Sequence, residues 1–151
     1  MLNLLKVALL SILPISELRG GIPLGLTLGL SPTIVFVAAT LSNLLAIPIA
    51  YFFLDNIHSR LLRYGKYKRF FGNYIHKKRE KIESKIGTKA EFIALLIFTA
   101  IPAPGTGAWT GSILAWFFNV KRKKAYLAIS FGVFIAGIIV TLASLGLIAL
   151  F

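Results

Sequence analysis

The sequence predicts an all-α integral membrane protein. Two re-entrant helical hairpins are each followed by a transmembrane helix, arranged as an inverted repeat with amphipathic cytoplasmic helices between. Three observations carry this reading. First, 57% of the 151 residues are hydrophobic and the mean hydropathy is +0.81, against about 45–50% apolar in soluble domains. Second, the runs 20–54, 92–120 and 125–151 hold no Asp, Glu, Lys or Arg, and each exceeds the roughly 20 residues that cross a bilayer as a helix. Third, two apolar stretches are broken: one by Pro14-Ile-Ser-Glu-Leu-Arg-Gly-Gly-Ile-Pro23, the other by Ile101-Pro-Ala-Pro-Gly-Thr-Gly-Ala108. Proline removes a donor and glycine weakens a helix interior, so neither segment suits an unbroken helix.

In chain order, residues 1–13 form a short apolar arm. At 1.5 Å per residue it reaches about 20 Å, less than the hydrocarbon core. A signal peptide is not expected there, because Glu17-Leu-Arg19 follows where small residues should mark cleavage. Pro14 and Pro23 bracket the first tip. Pro23 suits the first position of an outgoing helix, since its missing N–H costs nothing there. Gly21, Gly25 and Gly29 recur every four residues, a spacing that lets helices approach closely in lipid. Ser31-Pro-Thr33 signals a new helix start, and 33–54 is long enough to span. Within it, Asn43 reads as an interhelical hydrogen bonder and Pro48 as a kink.

Residues 55–91 hold 11 of the 17 basic residues, with apolar residues at helical spacing and glycine breaks. This reads as amphipathic helices on a cytoplasmic membrane surface, contacting membrane lipids and anionic lipid in particular. The net charge of +12 then reflects the enrichment of Lys and Arg in cytoplasmic loops, with no nucleic acid as partner. His58 and His76 have no ligand-like spacing, and no cysteine occurs. No metal site, cofactor or disulfide is expected.

The second broken segment, 92–120, precedes Lys121-Arg-Lys-Lys124 and a last span, 125–151, with Gly132, Gly137 and Gly146 as packing points. The regions 55–91 and 121–124 together hold 15 of the 17 basic residues. If both are cytoplasmic, the segment between them enters and leaves on one side, turning at Pro102, Pro104, Gly105 and Gly107. Non-helical backbone at that depth must line protein or water. Gly21-x-x-x-Gly25 and Gly107-x-x-x-Gly111 superpose at an offset of 86, which makes the chain one membrane domain (1–151). Its parts are a first hairpin-plus-span (1–54), the basic region (55–91) and a second hairpin-plus-span (92–151), a multi-pass plan for the cell membrane.

On Glu17-Leu-Arg-Gly-Gly-Ile-Pro23 and Pro102-Ala-Pro-Gly-Thr-Gly-Ala-Trp109, the chain resembles the "Putative small multi-drug export protein" family over nearly its whole length. That family in turn is distantly similar to the DedA membrane proteins. The resemblance implies paired re-entrant hairpins, proton-dependent transport or the flipping of polyprenyl-phosphate carriers. It also implies an acidic residue after a proline in the first hairpin, which Glu17 after Pro14 matches. The DedA second hairpin carries arginines. Here Thr99 and Gly105 stand at about those positions and the hairpin is uncharged, which weighs against a phosphate carrier.

Three functions follow, none enzymatic, since the spans hold no paired carboxylates and the breaks no histidine. The first is a proton-coupled secondary transporter with a midplane site at the hairpin tips. Its site residues are Glu17, Arg19, Gly20, Gly21 and Thr106, and its substrate is a small amphipathic molecule. The second is a lipid-phosphate flippase or scramblase, with Arg19 and the N–H groups near Gly20 and Gly21 holding phosphate. The third is a non-transporting scaffold. A homo-oligomer is compatible with all three.

Overall fold

Residues 1–61 and 88–148 are described by a computed structural model, and most of the amphipathic region expected over 55–91 lies outside them. The described residues form six helices and no strand. They are α1 (Leu2–Ile12), α2 (Glu17–Thr27), α3 (Pro32–Leu61), α4 (Thr88–Ala100), α5 (Ala108–Phe117) and α6 (Arg122–Ile148). The order is short, short, long, and then short, short, long again. The breaks fall where the prolines and glycines require them, at 13–16 and 101–107. The Ser31-Pro-Thr33 signal is met by α3, which starts at Pro32.

Two helices are long and apolar enough to cross a membrane, Pro32–Ile57 and Arg122–Leu147. Their outward faces carry large side chains: Leu41, Leu45, Phe52 and Phe53 on α3, and Leu127, Phe131, Phe134 and Leu142 on α6 are all exposed. Their inward faces are small. Ala39, Ala46, Ala125, Ala128 and Ala136 share one core cluster with Val35, Ile47, Ile129 and Val133, and Ala50 is buried as well. Large apolar groups outside and small or polar groups inside suit a lipid solvent, which supplies no hydrophobic drive for burial and rewards close backbone contact.

α1 packs on α2 and α3, while α4 packs chiefly on α6. Across the molecule α2 meets α6, α5 meets α3, and α3 meets α6. The ends of α2 and α5 close alike. Gly29 N–H bonds Leu26 O and Leu30 N–H bonds Gly25 O. Ninety residues on, Asn119 N–H bonds Trp116 O and Val120 N–H bonds Ala115 O. Both turns need a left-handed residue, met by Gly29 (φ 74°) and Asn119 (φ 57°), the two residue types that tolerate it best.

Several expectations are corrected here. The two helix closures recur at an offset of 90, whereas the glycine pairs superpose at 86. Gly29 is a helix stop on the surface, and only Gly21 and Gly25 are buried. A Cβ on Gly21 would lie 2.9 Å from Val7 O and would run into the Ser11 hydroxyl. Pro23 sits inside α2, not at its start. The left-handed residue that turns the chain is Glu17, so the helix begins six residues earlier than the proline rule indicates. Gly146 packs against nothing within 4 Å, whereas a Cβ on Gly132 would come within 2.8 Å of Leu96 O.

Candidate functional site

Two charges lie in the first break. Glu17 is the first residue of α2 and has φ 47°. A non-glycine residue pays about 1–2 kcal/mol for that conformation. The strained backbone accompanies a side chain held in the interior, 4% exposed. Its Oε1 accepts a hydrogen bond from the Trp109 N–H at 3.2 Å. Trp109 is the second residue of α5, so the Glu17 carboxylate caps the positive end of that helix. Gly107 makes this possible. With φ 135° and no side chain, it lets the carboxylate sit against the backbone. A Cβ there would lie 2.6 Å from the carboxyl carbon.

Arg19 takes the other half of the break. Its Nη1 donates to Ala103 O, and its Nη2 donates to Thr106 O. Nη2 also lies 3.3 Å from Thr106 Oγ1 and 3.8 Å from Glu17 Oε2. Pro102 and Pro104 stiffen this loop. Thr106 closes it, its hydroxyl lying 2.6 Å from Ile101 O and 2.7 Å from Ala103 O. Gly105 (φ 83°) supplies the left-handed step. The indole N–H of Trp109 donates to Ile12 O at 2.8 Å. Three links therefore join the two breaks, through Glu17, Arg19 and Trp109.

Of the predicted site residues, Glu17, Arg19, Thr106 and Gly107 come together. Gly20 and Gly21 do not form a ligand cradle, because both lie within α2 and the Gly20 N–H is spent on Ser16 O at 3.0 Å. Pro14 and Gly105 are exposed at their tips.

Beside the carboxylate lies a cavity of about 10 Å³, lined by Glu17, Arg19, Asn43, Thr99, Gly107 and Val133 among others. That is room for about one water. Among the described residues no other titratable side chain lines it. Asn43 is 1% exposed, and its Oδ1 has no hydrogen-bond partner. Thr99 donates to Leu95 O at 2.5 Å. Sequence reasoning gave neither residue a place in the site. Their signal was polarity inside an uncharged run, without any indication that both face Glu17.

A second polar cluster ties α3, α5 and α6 at their other ends. Asp55 accepts from Trp116 Nε1 at 3.0 Å and from Arg122 Nη2 at 2.7 Å. Arg122 lies 5.4 Å over the Tyr51 ring, which stacks on Tyr126 at 5.4 Å. Among the described residues no group of His, Cys, Asp and Glu could hold a metal ion.

No curated protein and no solved structure matches the chain. A family model does, over residues 17–139, which hold α2, the second break, α5 and most of α6. That family and the two long apolar helices point to a membrane protein of a transporter type. The match begins at Glu17 itself, and the chain belongs to the family described as "Putative small multi-drug export protein".

Proposed function

We propose that the chain is a proton-coupled secondary transporter that exports small amphipathic molecules, with its site where the two breaks meet. The observation that carries this is the Glu17 carboxylate bound to the α5 N-terminus beside a cavity. Intramembrane carboxylates are costly and are used as proton relays. Protonation would remove the charge that holds Glu17 on the helix end and weaken its attraction to Arg19. The link between the hairpins would loosen, and the cavity would be free to change sides. The family's description is consistent with such a role. The scaffold reading gives no reason for a strained carboxylate at a cavity. The phosphate-flippase reading would require Arg19 to leave Ala103 and Thr106 and is not favoured by the contacts it makes.

The architecture we propose is a pair of re-entrant hairpins in an inverted repeat, as in the DedA proteins. Support comes from the helix lengths. The four short helices have 11, 11, 13 and 10 residues, or roughly 15–20 Å, about half to two thirds of the hydrocarbon core. The recurrence of the same helix closure ninety residues on adds to it. So does the exchange pattern of packing, in which α2 meets α6 as α5 meets α3. Residues 55–91 and 121–124 are then both cytoplasmic. Single cysteines at Asn73 and Lys123, introduced into this cysteine-free chain, are expected to be labelled from the same side. Opposite-side labelling would sink the re-entrant arrangement.

Function is tested by flux in liposomes, screening amphipathic cations and lipid phosphates with and without a pH gradient. The expected result is gradient-dependent movement of at least one amphipathic cation. Gradient-dependent movement of lipid phosphates alone would favour the flippase instead.

A further inference from the structure

The substrate class can be narrowed by asking which hydrogen-bonding groups of the site are already spent. Several donors are already engaged: Arg19 donates to Ala103 and Thr106, the Trp109 N–H to Glu17, and the Thr99 hydroxyl to Leu95 O. Acceptors are left over. A carboxylate offers about four lone-pair positions, and the Trp109 and Ala108 N–H groups reach Glu17, which leaves about two. Asn43 Oδ1 is buried without a partner. Thr99 Oγ1, having given its hydrogen to Leu95, faces the cavity wall only as an acceptor. Such a buried acceptor carries a penalty of about 1–3 kcal/mol until a donor reaches it.

Arg19 also lines the cavity but turns its Nη1 and Nη2 to Ala103 and Thr106, so free acceptors beside the Glu17 carboxylate fit a cation that carries N–H groups. The cavity, at about 10 Å³, admits a group the size of one water, and an ammonium head is of that size. We infer that the cavity takes the ammonium head of a small protonated primary amine, seated between the Glu17 carboxylate and Asn43 Oδ1, with its apolar body outside the cavity. An N–H-free quaternary ammonium fits worse on two counts. It cannot donate to Asn43, and its methyl groups exceed the space. Phosphate brings a second negative charge beside the Glu17 carboxylate, where like charges repel. The inference rests on the site of the proposed transporter but not on its coupling to protons.

Binding can therefore be read without transport. Trp109 and Trp116 are the two tryptophans of the chain, and Trp109 bonds Glu17 directly. In a Trp116→Phe background, Trp109 fluorescence reports the site in detergent at fixed neutral pH. The probes are benzylammonium, benzyltrimethylammonium and inorganic phosphate. Saturable quenching by benzylammonium is expected, at least about tenfold tighter than by the quaternary analogue, a difference of roughly 1.4 kcal/mol. Phosphate is expected to be silent. Asn43→Leu should erase most of that tenfold preference, and Glu17→Gln should abolish amine binding. Equal affinity for both amines in the unmutated site would overturn the inference whether or not Asn43→Leu folds. So would quenching by phosphate alone. If benzylammonium binds as expected but no flux follows a pH gradient, proton coupling fails and the amine site stands. Gradient-driven flux of an amphipathic cation without amine selectivity leaves the transporter and removes this substrate class.

Discussion

Gly107→Val is expected to yield little folded, inserted protein, while Gly146→Val behaves close to wild type. The two glycines differ in every respect that matters. Gly107 has φ 135°, a conformation that L side chains rarely adopt. It is buried, and a β-carbon there would lie 2.6 Å from the Glu17 carboxyl carbon. The carboxylate would have to leave the α5 N-terminus to make room. An ionised group parted from its partner in the interior costs about 3–5 kcal/mol, and the backbone strain adds to that. Against total stabilities of about 5–15 kcal/mol, the loss is severe. Gly146 is helical with nothing within 4 Å of a β-carbon, and exposed substitutions of that kind usually stay within about 0.5 kcal/mol. The measurement is yield, monodispersity and thermal midpoint in detergent for both variants. Equal tolerance would mean that the 101–107 break is an ordinary kink and that Glu17 does not depend on it.

Much of this arrangement was legible in the sequence because prolines, glycines and charges report backbone physics directly. Pro14 and the run from Pro102 to Gly107 mark both breaks, and long uncharged runs mark α3 and α6. The link between the breaks was not legible. That Glu17 caps α5 depends on residues 92 positions apart in sequence, and no local pattern encodes such a distance. Gly20 and Gly21 show how adjacency alone underdetermines a role. Their adjacency resembles a phosphate cradle, but α2 starts at Glu17 and uses them for helix packing. Pro23 misled similarly. A proline is favoured at a helix start, yet in α2 it falls in the interior, where it removes the donor that would otherwise reach the Arg19 carbonyl. Asn43 was noticed as a polar residue in a span, but whether it bonds a helix or faces a cavity is decided only by its neighbours on α2, α4 and α6.

Glu17→Gln is expected to fold and insert but to lose gradient-driven flux. Glutamine keeps the length of glutamate and a carbonyl oxygen that can still accept the Trp109 N–H. The charge-assisted part of that bond is lost, a matter of about 1–2 kcal/mol, well short of unfolding. What glutamine cannot do is bind and release a proton. Glu17 is the only acidic residue outside 55–91, so no neighbouring carboxylate can substitute. With the side chain permanently uncharged, the hold on α5 no longer depends on protonation. A proton gradient then has nothing to act on. Glu17→Asp provides the contrast. It keeps the titratable group but is one methylene shorter, so it reaches the α5 N-terminus poorly. Reduced flux that still responds to the gradient is expected. The measurement is flux in liposomes at matched protein incorporation, with and without a pH gradient. Wild-type-like gradient-driven flux in Glu17→Gln would reduce the carboxylate to a structural cap on α5. Arg19→Ala separates the cap from the coupling. It releases the Ala103 and Thr106 carbonyls and leaves Glu17 on the helix end without its counter-charge. Stability should therefore fall while any remaining flux stays gradient-dependent, the opposite of the pattern expected from Glu17→Gln.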